Sequence, residues 1–195
     1  MKLNLPNTLT LLRIALTPFF IILLFYDHPY AKLWALVIFL VAAITDAFDG
    51  YYARKHDQVT DHGQFLDPLA DKILVSSALI SFAVLGVIPY WMVALIIFRD
   101  MFVTGLRMVM SNKGFNMVTS NIAKAKTTVQ IVIIVTILLY LGLVKLHISW
   151  FSDFITLTRE YNLIYNLTLT VTIFTVITGI SYIYENRSAI RQFLS

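Results

Sequence analysis

Six long apolar runs set the limits on what this chain can fold into. They cover 8–26, 32–52, 65–88, 90–110, 125–144 and 162–184. A helix needs about 20 residues to cross the hydrocarbon core of a bilayer. In lipid the backbone finds partners only inside a helix or a closed barrel. The runs are continuous and lack the period-2 alternation of barrel strands. The expectation is an all-α membrane protein with six transmembrane helices, Pro18 being a kink point in the first. Composition agrees: 58% of the residues are hydrophobic, 13% are charged and the mean hydropathy is +0.77. Soluble domains carry about 25% charged residues. Six spans and their loops fill 195 residues, so a single membrane domain over 1–195 is expected. The absence of cysteine excludes disulfides, thiolate metal sites and cysteine nucleophiles. Arg13 abuts the apolar stretch from Ile14 to Tyr26, and the stretch from Tyr26 to Tyr30 is no small-residue cleavage site, so the segment reads as a retained span rather than a leader.

Charge gives the orientation. With six spans, one side collects Lys2, Arg13, Arg54, Lys55, Lys72, Arg99, Arg107, Lys113, Lys124, Lys126, Arg187 and Arg191. The other side holds Lys32, Lys145 and Arg159, completing the 15 basic residues. The positive-inside rule then puts both termini in the cytoplasm of a multi-pass protein of the cell membrane. Residues 144–161, with Trp150, Phe151 and Phe154, read as an interfacial segment on the far side.

The acidic residues cluster where lipid makes them expensive. Asp46 and Asp49 close the second run, and Asp67 and Asp71 open the third. A carboxylate costs about 3 kcal/mol at a helix centre and less near an end. The spacings i, i+3 and i, i+4 put each pair on one helix face. Four carboxylates converging on one cavity suit hard divalent cations such as Mg²⁺, which accept carboxylate, water and phosphate oxygens. Such a site suits displacement at phosphorus. Gly50 and Ala53 continue the same stripe and clear space, Arg54 can pair a phosphate, and Gly63 precedes Asp67 by one turn. The bland readings are that Asp67 before Pro68 is a helix cap and that Asp49-Gly50 is a turn. His56, Asp57, Asp61 and His62 between the two halves read as a solvated polar loop.

The ordered string Asp46-x2-Asp49-Gly50-x2-Ala53-Arg54-x8-Gly63-x3-Asp67-x3-Asp71 resembles the signature of the CDP-alcohol phosphotransferase family at every position. The resemblance implies a bundle of that family's type. It implies that Asp46, Asp49, Asp67 and Asp71 bind two divalent cations, Mg²⁺ or Mn²⁺. Asp46, Gly50, Ala53, Arg54 and Gly63 would line the CDP site, and Asp71 would also be the catalytic base toward an acceptor hydroxyl. Family members commonly form homodimers, which implies a second copy as partner. No nucleic acid is expected.

The second half of the chain has to read the acceptor. Arg99, Arg107, Lys124 and Lys126 are assigned to the cytoplasmic ends of the fourth and fifth spans. Four cations there favour an acceptor that carries its own phosphate, against the alternatives of topology signals or lipid-headgroup contacts. The strings Arg99-Asp100-x3-Thr104-Gly105-Leu106-Arg107, Lys124-Ala125-Lys126-Thr127 and Pro6-Asn7-x-Leu9-Thr10-x2-Arg13 resemble the glycerophosphate-using bacterial branch of the family. That branch usually has Glu at the place of Asp100 and Gly at that of Ala123. The implied donor is CDP-diacylglycerol and the implied acceptor sn-glycerol 3-phosphate, in phospholipid biosynthesis among membrane lipids. Asn7 and Thr10 are candidates for the nucleotide, against ordinary capping of the first helix. Inositol phosphate or serine as acceptor, and a cation-coupled transporter with its intramembrane acids, stay open as alternatives.

Overall fold

The computed structural model describes the backbone of residues 5–55, 61–113, 121–146 and 149–194, and the side chains of 11–45, 72–111, 113, 126–146 and 150–193. Every element among the described residues is helical: α1 (Leu5–Phe25), α2 (Ala31–Lys55), α3 (Asp61–Val84), α4 (Tyr90–Asn112), α5 (Asn121–Leu146), α6 (Ser152–Glu160), α7 (Leu163–Glu185) and α8 (Arg187–Leu194). A single 3-10 turn, Ser149–Phe151, leads into α6. The six longest helices coincide with the six apolar runs. The segment expected to be interfacial contains that turn and α6, with Trp150 almost fully exposed. The amphipathic α8 was not foreseen, because eight residues are too few to show a period.

Helix ends follow local chemistry. The third run reaches 88, yet α3 stops at Val84. Gly86 adopts φ +71°, and its N–H and that of Val87 donate to the carbonyls of Ala83 and Phe82 at 3.0 and 2.9 Å. That is the paired-bond helix stop for which glycine is the favoured residue, and Pro89 prevents resumption until α4. Asn162 makes the sharp α6–α7 turn at φ 46°, a conformation asparagine tolerates better than most residues. Pro18 lies within α1, which continues through it.

α1 is the hub of one half of the bundle and packs against α2 and α3. In the other half α4 pairs with α7. α5 joins them by packing on both α2 and α7. Phe20, Leu24, Phe39, Phe82, Ile134 and Leu138 are fully or almost fully buried between these helices. Phe20 and Phe39 meet with ring centroids 5.9 Å apart. Ala31, Ala35, Phe39 and Ala42 form the buried stripe of α2, and small side chains let helix backbones approach closely. At Gly142 an added Cβ would lie 2.5 Å from Leu33 Cδ2, a measure of how closely α5 approaches α2. On α7 the buried stripe is rich in threonine. Thr168 and Thr172 donate to the carbonyls of Ile164 and Thr168 at 2.7 and 2.8 Å, so these hydroxyls enter the interior already bonded.

The outer surface is apolar. Phe19, Ile22, Trp34, Phe98 and Ile180 all face outward, a distribution that water disfavours and lipid accepts. Among the described residues, Lys126–Leu146 and Leu163–Glu185 are long and apolar enough to cross a membrane. Both features are consistent with a helical membrane protein. At one end of the bundle Lys145 hydrogen-bonds Asp27, tying the end of α5 to the α1–α2 turn. That bond, with the charge of the ammonium, holds the Asp27 carboxyl below its ordinary range. Lys32 donates to the Tyr26 carbonyl at 2.9 Å, so Lys32 and Lys145 do share one end.

Neighbouring phenylalanines test which surface is interior. Phe20 is 0% exposed and Phe19 60%. Phe20→Ala is expected to destabilise the purified protein in detergent by about 3 kcal/mol through the cavity it leaves. Phe19→Ala is expected to stay within about 0.5 kcal/mol. Thermal and denaturant unfolding measure both, and equal losses would reverse the assignment of faces.

Candidate functional site

Asp46, Asp49, Gly50, Ala53 and Arg54 lie in the last turns of α2, and Gly63, Asp67 and Asp71 in the first turns of α3. Their side chains fall outside the described residues, as do those of Asn7, Thr10 and Lys124. The helical backbone nevertheless decides several questions. α2 continues unbroken to Lys55, so Asp49-Gly50 is not a turn. α3 begins at Asp61, so Asp67 lies nearly two turns inside it and is not its cap. Asp61 and His62 belong to the start of α3 and not to a loop, a correction to the polar-loop reading; His56 and Asp57 lie outside the described residues. The spacings i, i+3 and i, i+4 are therefore real helical spacings, and each pair shares a helix face. Only residues 56–60 separate the two helices, which keeps the end of α2 and the start of α3 on one side of the bundle. Asn7 is the third residue of α1, within the helix instead of capping it. Among the described residues no three His, Asp or Glu gather into a metal-sized group; the four aspartates are not among the side chains so described.

The cations are described in detail, and here the sequence reading needs correcting. Arg99 is not at the end of its helix. It is the tenth residue of the 23-residue α4, about 14 Å along the axis at 1.5 Å per residue. Its side chain is 13% exposed and those of Asp100 and Lys126 are 5% and 3% exposed. Arg99 Nη1 donates to Asp100 Oδ1 at 3.3 Å. Lys126, on the first turns of α5, donates to the same oxygen. From α7, Thr178 Oγ1 accepts from Arg99 Nη2 at 3.2 Å while its own O–H donates to the Thr175 carbonyl at 2.9 Å. Helices α4, α5 and α7 thus meet at one buried polar centre with two cations and one carboxylate.

Donor capacity is left over at this centre. Arg99 Nε is buried with no hydrogen-bond partner among the described residues, and so is Gln130 Nε2, one turn beyond Lys126 on α5. Removing an ion from water costs several kcal/mol after relaxation, and a buried guanidinium N–H without a partner is a donor that an anion can take up. The Arg99 stem passes between α4 and α7 because residue 179 is glycine: a Cβ there would lie 2.8 Å from Arg99 Cγ. The stem lines an apolar groove of about 350 Å³ with Leu95, Phe98, Phe102, Ile180 and Ile183, while the guanidinium turns to Asp100 and Thr178.

Arg107 is exposed and stands about 12 Å further along the axis of α4 than Arg99. Its guanidinium carbon lies 5.6 Å from the centroid of the Tyr182 ring on α7, and its charge still reaches the Arg99 guanidinium. Arg13, read as a boundary cation, is in fact 1% exposed on α1, the helix that packs against both aspartate-bearing helices. Thr178 and Gly179 carry no local sequence signal; only the pairing of α7 with α4 reveals them.

The profile of the CDP-alcohol phosphatidyltransferase family matches residues 3–180. A CDP-diacylglycerol–glycerol-3-phosphate 3-phosphatidyltransferase of Bacillus subtilis is 39% identical over 201 residues, covering 96% of this chain and 97% of that protein. Proteins with the same name from Rickettsia bellii and Cereibacter sphaeroides are 36% and 40% identical, covering 82% and 73% of this chain and 92% and 66% of their own lengths.

The seat of Arg99 makes an immediate test. Gly179→Val is expected to displace the Arg99 stem and lower stability by about 1–3 kcal/mol through overpacking. Gly105→Ala meets nothing within 4 Å and is expected to be neutral or stabilising by up to about 1 kcal/mol. Unfolding in detergent distinguishes the two.

Proposed function

The chain belongs to the CDP-alcohol phosphatidyltransferase family, and on that premise we propose that it transfers the phosphatidyl group of CDP-diacylglycerol to sn-glycerol 3-phosphate, giving phosphatidylglycerophosphate and CMP. The observation that carries this reading is the complete aspartate signature in unbroken helical register on α2 and α3, within a chain similar along its whole length to a protein of that activity. The buried Arg99–Lys126 pair supports a phosphate-bearing acceptor over serine.

The donor set fits divalent cations: four carboxylates at helical spacing are hard oxygen ligands with no thiol among them. Asp46, Asp49, Asp67 and Asp71 would hold two such ions, Mg²⁺ or Mn²⁺, which supply neutralisation of the diphosphate and of the departing CMP. Gly50, Ala53 and Gly63 would leave room for the nucleotide, Arg54 would pair its phosphate, and Asn7 and Thr10 would contact it. Arg99, Arg107, Lys124 and Lys126 would hold the acceptor phosphate. Asp71 takes the proton of the acceptor hydroxyl. That oxygen attacks the phosphatidyl phosphorus, a new P–O bond forms as the bond to CMP breaks, and CMP leaves with the electron pair.

The chemistry is assigned to the cytoplasmic face of a six-span protein of the bacterial cell membrane with both termini inside. The charge asymmetry between the two ends supports this, since the positive-inside rule acts on short loops such as these. A homodimer is the family-derived expectation for its assembly.

Protein purified in detergent with CDP-diacylglycerol, glycerol 3-phosphate and Mg²⁺ or Mn²⁺ should release CMP, and chelation should stop it. Failure to release CMP with any hydroxylated or phosphorylated acceptor would sink the reading. Asp71→Asn is expected to lower kcat by about 10³-fold, the scale of a general base. A near-normal rate in that variant would remove Asp71 from the proton transfer.

A further inference from the structure

Asp100 has no part in the reaction as described, yet both buried cations converge on it. One oxygen, Oδ1, accepts from Arg99 Nη1 on the same helix and from Lys126 Nζ on α5. The two cations therefore lie no more than two hydrogen bonds apart. Arginine and lysine side chains are long and rich in rotamers, and like charges this close in a water-poor interior repel strongly. The carboxylate between them offsets that repulsion. The buried Arg99 Nε still has no hydrogen-bond partner among the described residues. Asp100 thus gathers the cations while Arg99 keeps a donor to spare.

We propose that Asp100 is a positioning residue for the acceptor phosphate: it draws the Lys126 ammonium from α5 onto the Arg99 guanidinium on α4 and so assembles the pair that binds the phosphate. The proposal rests on the reading of Arg99 and Lys126 as phosphate ligands. Asp100 touches neither substrate nor reacting atoms, so its effect belongs in acceptor affinity and not in turnover. Thr178 fixes the other side of the Arg99 guanidinium at 3.2 Å, so Arg99 has a second anchor besides Asp100.

The experiment is steady-state CMP release by the full chain in detergent, with each substrate varied in turn, for Asp100→Asn, Asp100→Glu, Lys126→Met, Arg99→Lys and the Asp100→Asn/Lys126→Met double variant. Asp100→Asn is expected to raise KM for glycerol 3-phosphate by at least about ten-fold, as for loss of a charge-assisted hydrogen bond. Its kcat and its KM for CDP-diacylglycerol should stay within about three-fold of the parent, a change of under 1 kcal/mol. Asp100→Glu keeps the carboxylate and should restore acceptor KM to within about three-fold. In the Lys126→Met background Asp100→Asn should add less than about two-fold, because residues that act through each other are not additive. A fall in kcat at unchanged acceptor KM, or effects that multiply in full in the double variant, would overturn the proposal. If Asp100→Asn does not accumulate as folded protein, Lys126→Met against the double variant decides: equal acceptor KM supports the proposal and a further rise refutes it. Raised KM in Lys126→Met with normal KM in Asp100→Asn removes Asp100 alone. Unchanged KM in both Lys126→Met and Arg99→Lys removes the phosphate-ligand reading and this proposal with it.

Discussion

Polar groups buried between these helices have no bulk water to turn to, and the architecture follows from how each is satisfied. Backbone amides are paired within helices, which is why the described chain is helical wherever it is regular. The threonines of α7 return their hydroxyls to carbonyls of their own helix, so a polar stripe can pack as closely as an apolar one. Charge is harder to satisfy, because the backbone carbonyls of its own helix do not neutralise it. Arg99 therefore recruits three sources at once: Asp100 beside it, Thr178 across on α7, and the space that Gly179 leaves open.

This constraint divides the molecule into two chemical halves. α1 carries α2 and α3, with the aspartates at their connected ends, while α4, α5 and α7 enclose the cations. α5 packs on α2 as well as α7, and α3 on α4, so the two halves are held in fixed relation. A transfer between a nucleotide-bearing lipid and a small phosphorylated alcohol needs such an arrangement. One half has to tolerate concentrated negative charge and the other has to supply positive charge, at a separation short enough for one hydroxyl to reach phosphorus.

Much of this was legible in the residue order. Continuous apolar runs locate helices without reference to packing, because the requirement they express is local. The aspartate signature was legible for the same reason: its meaning lies in i, i+3 and i, i+4 spacing along single helices. The end of α3 shows where such reading errs. Hydrophobicity extends past Val84, but the left-handed Gly86 stops the helix there, and an apolar count does not register backbone handedness. Asp61 and His62 looked like loop because they are polar, yet α3 already includes them. Helix α8, two turns long, fell below the length at which periodicity can be recognised.

By itself the sequence determined the helical class, the positions of the long helices, the family and the four carboxylates, all of which depend on spacing within one helix or on matched residue strings. Only the tertiary structure decided how the cations divide. Arg99, Arg107, Lys124 and Lys126 look equivalent in the chain. In the fold Arg99 and Lys126 meet at one buried oxygen, while Arg107 leans on Tyr182 nearer the end of α4. The reason is physical: the burial of a charge and the partner that offsets it are set by neighbouring helices, and the pairing of α4 with α7 and of α5 with both halves is written in no local stretch of residues.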